Sequence, residues 1–428
     1  MKKAVATLAA TSLLVADLAW AGGPVADPSA SVGFRPTVQA APNGVPTVNI
    51  VNPSAGGVSH NKYSIFDVDP QGAVLNNSMV AGTSVLAGAL TANSNLTAPA
   101  LVILNEVTGS GASQLHGPTE VFGTSANVII ANPNGISVDG GSFINSPRVT
   151  LTTGTPTTGG PGAYGGLGFS VQSGQISVGG AGLDGSGIDQ VDLVGRRVVV
   201  NGALTGAGAL NVTGGGADYA YGTGEATTAA APAQAGVYSI DATALGAMNA
   251  GQVKLIGTEA GVGVRALGGV AASAGDVTIT SAGEIVLTGA SASRDMALSG
   301  TNVSAGGTMA AARNLSLTAA QAVTTSGTHT AQDVTVTAGT TAALGASTTA
   351  ANLNATATAA LAHTGATTLT GDASLNGGTV TTAGIVSADG AVGITAGTDA
   401  TLGGSVMARG NLTATAGNAL AVNGTVAA

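Results

Sequence analysis

Between Asp276 and Ala414 one short pattern, an Asx residue followed by apolar, small polar and apolar positions, returns eight times. The copies are Asp276-Val277-Thr278-Ile279, Asp295-Met296-Ala297-Leu298, Asn314-Leu315-Ser316-Leu317, Asp333-Val334-Thr335-Val336, Asn352-Leu353-Asn354-Ala355, Asp372-Ala373-Ser374-Leu375, Ala391-Val392-Gly393-Ile394 and Asn411-Leu412-Thr413-Ala414. Their second positions are 19, 19, 19, 19, 20, 19 and 20 residues apart, and seven of the eight open with Asp or Asn. A fixed period near 20 marks a solenoid, in which no unit can bury its apolar face without a neighbour. Leucine-rich repeats share the period but need a Leu scaffold, whereas here the apolar position accepts Val, Met, Leu or Ala. Alternation within each copy indicates a strand. The pattern therefore predicts an all-β, parallel β-helix over 268–428, one coil per repeat, right-handed by the crossover preference. Asx at the turn bonds locally to backbone, and stacked Asn can form a ladder. Eight coils at a strand spacing of ~4.8 Å span ~38 Å.

Composition narrows the rest. Only 8% of the 428 residues are charged and 3% are aromatic, the formal net charge is -9, and Gly numbers 68. An acidic chain this poor in Lys, Arg and rings lacks what phosphate neutralisation and base stacking require, so no nucleic-acid partner is expected. Mean hydropathy of +0.39 with few charges argues against disorder, and Gly at every third position, as in collagen, is absent. The uncharged stretch between Asp333 and Asp372 is Thr, Ala and Gly; its hydroxyls would be costly in lipid, so it is read as strand, not as a membrane span.

The N-terminus reads as a targeting segment. Met1-Lys2-Lys3 precedes an apolar run from Ala4 to Ala16, and Ala19-Trp20-Ala21 supplies the small-x-small pattern before Gly22. That is the form of a secretory signal peptide, residues 1–21, cleaved between Ala21 and Gly22. An exported chain with zero Cys forms no disulfides, which suits passage of an unfolded chain across a second membrane.

Residues 22–267 are less regular but carry longer words. Val48-Asn49-Ile50-Val51 reads as a strand before the turn Asn52-Pro53-Ser54-Ala55-Gly56-Gly57, and Val128-Ile129-Ile130-Ala131 runs into Asn132-Pro133-Asn134-Gly135-Ile136. Pro fixes φ at the first corner and Asn-Gly tolerates left-handed angles, so a tight turn is predicted there. These words, with Ile103-Leu104-Asn105-Glu106-Val107, Glu120-Val121-Phe122-Gly123, Phe143 to Gly154, Val58 to Tyr63 and Lys254 to Val264, resemble the secretion domain of two-partner secretion exoproteins, the filamentous haemagglutinin family. The likeness runs from about residue 45 to 268, and the repeats beyond resemble the family's shaft.

The resemblance implies a right-handed β-helix with an N-terminal cap and extra-helical strands. It also implies recognition in the periplasm by the soluble domains of a dedicated outer-membrane β-barrel transporter. The family's second secretion motif matches Asn132, Pro133, Asn134, Gly135 and Ile136 in full. Its first, Asn-Pro-Asn-Leu, corresponds to Asn93-Ser94-Asn95-Leu96, where Ser94 removes the ring that pre-organises the turn. Asn93, Asn95, Leu96 and Asn132 to Ile136 are the expected transporter-recognition residues.

No chemistry-bearing constellation emerges. Gly179 to Asp184 matches part of a calcium-binding nonapeptide, but it occurs once and Ser186 stands where an apolar residue belongs. Gly261 to Ala266 loosely fits a dinucleotide fingerprint without the following helix or acid. His60, His116, His329 and His363 show no metal spacing. Asp67 and Asp69 are read as a solvated strand or cap face, and Arg196-Arg197 as a charge-protected strand edge. No catalytic, cofactor or metal residue is assigned, and no cofactor is expected.

Three function classes follow: an exported, surface or secreted adhesin-like rod with its secretion domain, the delivery stalk of a contact-dependent growth-inhibition toxin with an effector beyond residue 428, and a β-helical polysaccharide-active enzyme. The last needs a carboxylate cluster that the repeats do not supply. A receptor on a host or neighbouring cell is the expected partner of the rod. Asn423 to Ala428 stop inside a coil, with no capping segment and no barrel strands after them. The expectation is a fragment of a longer exoprotein, or a chain prone to end-to-end self-association.

Overall fold

The computed structural model of the chain describes residues 22–159, 163–229 and 238–428. The expected signal peptide, with Ala19 and Ala21, lies outside the described residues, while Gly22 lies within them.

The chain winds as a parallel β-solenoid of about 15 turns, each laying one short strand on each of three faces. In the coil that opens the regular repeat, the first face carries Val277–Ser281, and Ile285–Ala292 supplies the second and third faces. The first-face ladder pairs Val277 with Met296, Met296 with Leu315, Leu315 with Val334, Val334 with Leu353, Leu353 with Ala373, Ala373 with Val392 and Val392 with Leu412. That register is the 19- and 20-residue spacing of the sequence. Within each strand the alternation sorts side chains: Val334 and Val336 are buried and Thr337 is exposed. Small inward residues suit the narrow interior, which is filled chiefly by Val, Leu, Ile, Ala and Met as one continuous core.

The Asx positions form a column along the corner before the first face. Asp276 Oδ1 accepts the Asp295 N–H at 3.0 Å, and Asp295 Oδ1 accepts the Asn314 side-chain amide at 2.9 Å. Asp333 Oδ1 accepts Asn352 Nδ2 at 2.7 Å, Asn352 Oδ1 the Asp372 N–H at 2.9 Å, and Asp372 Oδ1 the Ala391 N–H at 2.7 Å. From Asp295 to Asp372 Asp and Asn alternate, so an amide separates successive carboxylates. Arg313 pairs with Asp295 where Asp276 and Asp295 are adjacent.

Closer to the N-terminus the solenoid is capped and decorated. Antiparallel strands Val25–Ala26 and Thr37–Ala40 cover the open edges of Val58–Ile65 and Pro46–Asn49, which removes an edge that would otherwise template pairing. A four-stranded antiparallel sheet, Thr155–Thr157, Gly168–Val171, Ala217–Ala220 and Glu225–Thr228, lies outside the solenoid. It covers the outward side chains Val102, Leu104, Ile129, Ala131 and Val194 with Leu167, Phe169, Val171, Tyr219 and Tyr221. First-face strands here are buried on both sides, which is why Val128-Ile129-Ile130-Ala131 is an unbroken apolar run. A hairpin, Gly82–Ser84 with Gly88–Leu90, covers Val74 and Phe122 on the third face.

Candidate functional site

The two Asn-rich words lie at corners of the capped end and adopt the same construction. After the first-face strand Asn127–Ala131, the Gly135 N–H closes a four-residue turn on the Asn132 carbonyl at 3.0 Å. Asn132 Oδ1 accepts the Asn134 N–H at 3.0 Å. Its amide reaches into the preceding coil, donating to the Gly111 carbonyl at 2.9 Å and Ser113 Oγ at 3.1 Å. Asn134 Nδ2 donates to the Gly109 carbonyl at 2.7 Å. Pro133 occupies the first corner, and Gly135 has φ +121 with the Gln175 carbonyl 2.9 Å from where a Cβ would stand. Ile136 then enters the second-face ladder, paired with Ser113 and Ile176.

Asn93 repeats this plan. The Leu96 N–H reaches the Asn93 carbonyl at 3.2 Å, and Asn93 Oδ1 accepts the Asn95 N–H at 3.0 Å. Asn93 Nδ2 donates to the Ile50 and Asn76 carbonyls, each at 2.9 Å, and Asn95 Nδ2 to the Asn49 carbonyl at 3.3 Å. Leu96 is buried in the core. The turn thus closes with the exposed Ser94 in place of Pro, because its bonds come from Asn93 and Asn95. Asn132 and Asn93 are buried, while Asn134 and Asn95 are exposed with their amides turned onto backbone carbonyls.

Other asparagines do the same work. Asn77 bridges the Ala100 and Thr124 carbonyls and accepts the Ala100 N–H, Asn61 accepts the Val51 N–H at 2.9 Å, and Asn105 links Tyr63 Oη to the Ile129 carbonyl. Each staples neighbouring segments whose backbone groups would otherwise be buried without partners.

Charged side chains at this end meet one another or backbone N–H groups. His60 Nε2 lies 2.6 Å from Glu106 Oε2 and Lys62 Nζ 3.3 Å from the same oxygen, with the Phe34 ring against the His60 ring and Lys62 Nζ. Burial raises the Glu106 carboxyl, but His60 and Lys62 outweigh it and hold the group below its ordinary value. Glu120 is buried and accepts Ser84 Oγ at 2.6 Å and the Val85 and Leu86 N–H groups at 2.8 Å, tying the hairpin down. Asp67 accepts the Gln114 N–H at 2.8 Å. Burial, with Asp69 nearby, raises its carboxyl despite that bond. The Asp69 carboxylate stands where a Cβ on Gly22 would be, and Gly22 has φ +101.

Two arginines are placed differently from what the sequence implied. Arg196 is no strand-edge guard: it occupies the corner between Gln190–Gly195 and Arg197–Val200, is buried and forms a bidentate pair with Glu259, at 2.9 and 3.0 Å. Arg197 does face outward, 3.5 Å from Asp241. Arg148, which sequence reasoning passed over, clamps the extra-helical sheet. It meets the fully buried Asp192 at 2.7 Å, donates to the Tyr221 carbonyl at 2.9 Å and Tyr219 Oη at 3.1 Å, and stacks 4.0 Å from the Tyr221 ring centroid. The apolar doublets Ile103-Leu104 and Ile129-Ile130 were the available signal for a covering layer. Asp184, in the lone calcium-like word, accepts the Ser186 N–H within its own turn, and Val264–Ala266 is an ordinary second-face strand. Among the described residues no three metal-binding side chains converge.

Residues 25–287 match the TPS secretion domain family. The filamentous hemagglutinin of Bordetella pertussis is 42% identical over 270 residues, 61% of this chain and 7% of that protein. A protein of Burkholderia pseudomallei named tRNA nuclease CdiA-2 is 44% identical over 256 residues, 59% of this chain and 8% of its own length. The chain spans under a tenth of the length of these curated relatives. Among solved structures, the crystal structure of the filamentous hemagglutinin secretion domain superposes with a TM-score of 0.54 at 30% identity, covering 95% of this chain and all of that one.

Proposed function

The chain belongs to the TPS secretion domain family, and from that premise we propose that it is an exoprotein of the two-partner secretion pathway. Residues 1–21 direct it to the periplasm and are removed before Gly22. Residues 22–267 form the unit that an outer-membrane transporter recognises, and 268–428 form the shaft. The product reaches the cell surface or the medium as a rod whose role is adhesion, with a receptor on a host or neighbouring cell. The observation that carries this reading is the family match over the capped end, joined there by an intact Asn132-Pro133-Asn134-Gly135-Ile136 corner. The family is one of export domains and adhesins and not of enzymes.

The corner residues act in recognition through the coil they staple. Their side-chain amides are engaged with Gly109, Gly111 and Ser113, so what they offer a transporter is the shape and the edge of the turn. Outward movement needs no nucleotide if each coil, once outside, buries fresh surface on the one before it.

A second reading is favoured by the toxin names among the relatives: the same export unit and shaft can deliver an effector to a neighbouring cell. The test is appearance of the chain in the medium with and without its transporter. Transporter-dependent release supports the reading, and release without the transporter overturns it.

A further inference from the structure

Inside the shaft, coils between Val303 and Leu402 carry polar groups along one internal corner. On the third face Met309, His329, Thr348, Thr367 and Val386 stack in register, and on the second face Thr325, Leu344, His363, Thr382 and Leu402 do the same. The two stacks meet where the second face turns into the third, so Thr325 stands beside His329 and His363 beside Thr367. Both imidazoles are 1% exposed. His363 Nε2 lies 2.8 Å from Thr367 Oγ1, while His329 Nε2, His363 Nδ1 and Thr382 Oγ1 have no hydrogen-bond partner.

A neutral imidazole tolerates one bare nitrogen, but an imidazolium has two N–H donors to satisfy. No counter-charge is at hand. The two histidines are the only titratable side chains buried in these coils. The charged groups along these coils lie on the outer surface: Arg313 pairs with Asp295, Asp389 with Arg409, and the Asp333, Asp372 and Asp399 carboxylates accept Asn352, the Ala391 N–H and Asn418. Burial accordingly holds both rings below their ordinary range.

We propose that this corner is an acid-sensitive joint in the rod: as the pH falls below about 6.5, the coils around His329 and His363 open while the capped end stays wound. The sign follows from linkage. The folded state keeps the rings neutral and the opened coil takes up protons, so the stability is complete above the unfolded value of about 6.5 and is lost below it. The opening constant rises up to about tenfold per pH unit for each histidine exposed, and up to about a hundredfold where both open together.

The test is hydrogen exchange on the secreted full chain at pH 7.0, 6.0 and 5.5, expressed as protection factors so that intrinsic rates cancel. Protection of Thr328–Thr330 and Ala360–His363 is expected to fall between pH 7.0 and 5.5 by up to about eightfold where one ring is exposed and up to about seventyfold where both are, with Gln190–Gly195 and Gln252–Gly257 unchanged. His329→Met with His363→Leu copies the in-register occupants Met309 and Leu344 and should abolish the pH dependence. An equal fall in that variant, or no fall in the wild type, overturns the proposal. Should the double variant fail to fold, ring resonances of the wild type decide: titration of either ring between pH 6 and 7 in the folded rod overturns it, and its absence supports it.

Discussion

Replacing Asn132 by Ala removes three bonds of 3.1 Å or less made by one buried side chain, those to the Gly111 carbonyl and Ser113 Oγ and the one accepted from the Asn134 N–H, besides the weaker one at 3.2 Å accepted from Asn134 Nδ2. At about 1 kcal/mol each the loss is about 3 kcal/mol, rising toward about 5 kcal/mol where the abandoned groups stay dry. Asn134→Ala removes the exposed side chain's bond to the Gly109 carbonyl and a weaker one at 3.2 Å to Asn132. Water can replace both, so about 1 kcal/mol is expected. The two substitutions sit two residues apart in one turn yet should differ by about 2 kcal/mol. Hydrogen exchange of Ser113–Leu115 and Ile136–Val138 in the purified chain measures this directly, and released protein in the medium measures export. If the motif acts through the coil it staples, Asn132→Ala loses more of both protection and export than Asn134→Ala. An Asn134→Ala chain that is stable yet less exported than Asn132→Ala would refute the reasoning and make the exposed amide a direct transporter contact.

Other outcomes follow from the same geometry. Arg148→Ala leaves Asp192 buried with only Thr150, Gln190 and Asn211 as partners; a loss of about 3–5 kcal/mol is expected, read as early proteolysis within 155–228 while the shaft stays resistant. Asn314→Asp extends the Asp276–Asp295 pair to four successive carboxylates one coil apart, at ~4.8 Å, and its two new neighbours cost about 1–2 kcal/mol at low ionic strength; thermal melts in 1 M salt should recover most of it. Glu106 contributes stability that is present above its unfolded value and disappears as pH falls through its lowered folded one, because its ionised form is what His60 and Lys62 favour. Glu106→Gln should therefore flatten the acid limb of a pH–stability curve, as measured by urea unfolding.

What the sequence made legible was whatever repeats or turns locally. Spacing alone placed Val277 on Met296 and Ala373 on Val392, since a solenoid turns sequence period into register. The Asn132 corner was legible because Pro-Asn-Gly fixes backbone angles by itself. Contacts between distant, unrepeated segments were not. Arg196 finds Glu259 63 positions away, and Gly168–Val171 pairs with Ala217–Ala220 across six intervening strands of the solenoid. Nothing within a window distinguishes Arg196 from Arg197. The covering sheet left one trace, apolar residues on both faces of Val102–Val107 and Asn127–Ala131, where alternation should have put polar ones outside. The Asx column was visible as recurrence, but the alternation of Asp with Asn acquires meaning only when successive coils are seen to bond.

The central claim is that the address for export lies in the capped end and that the shaft is carried with it. The direct measurement compares, in cells with the transporter, release of three chains that share residues 1–21: the full chain, residues 1–287, and a chain lacking 22–267. The account predicts that the first two reach the medium and the third stays in the periplasm. Release of the third, or retention of the second, would contradict it.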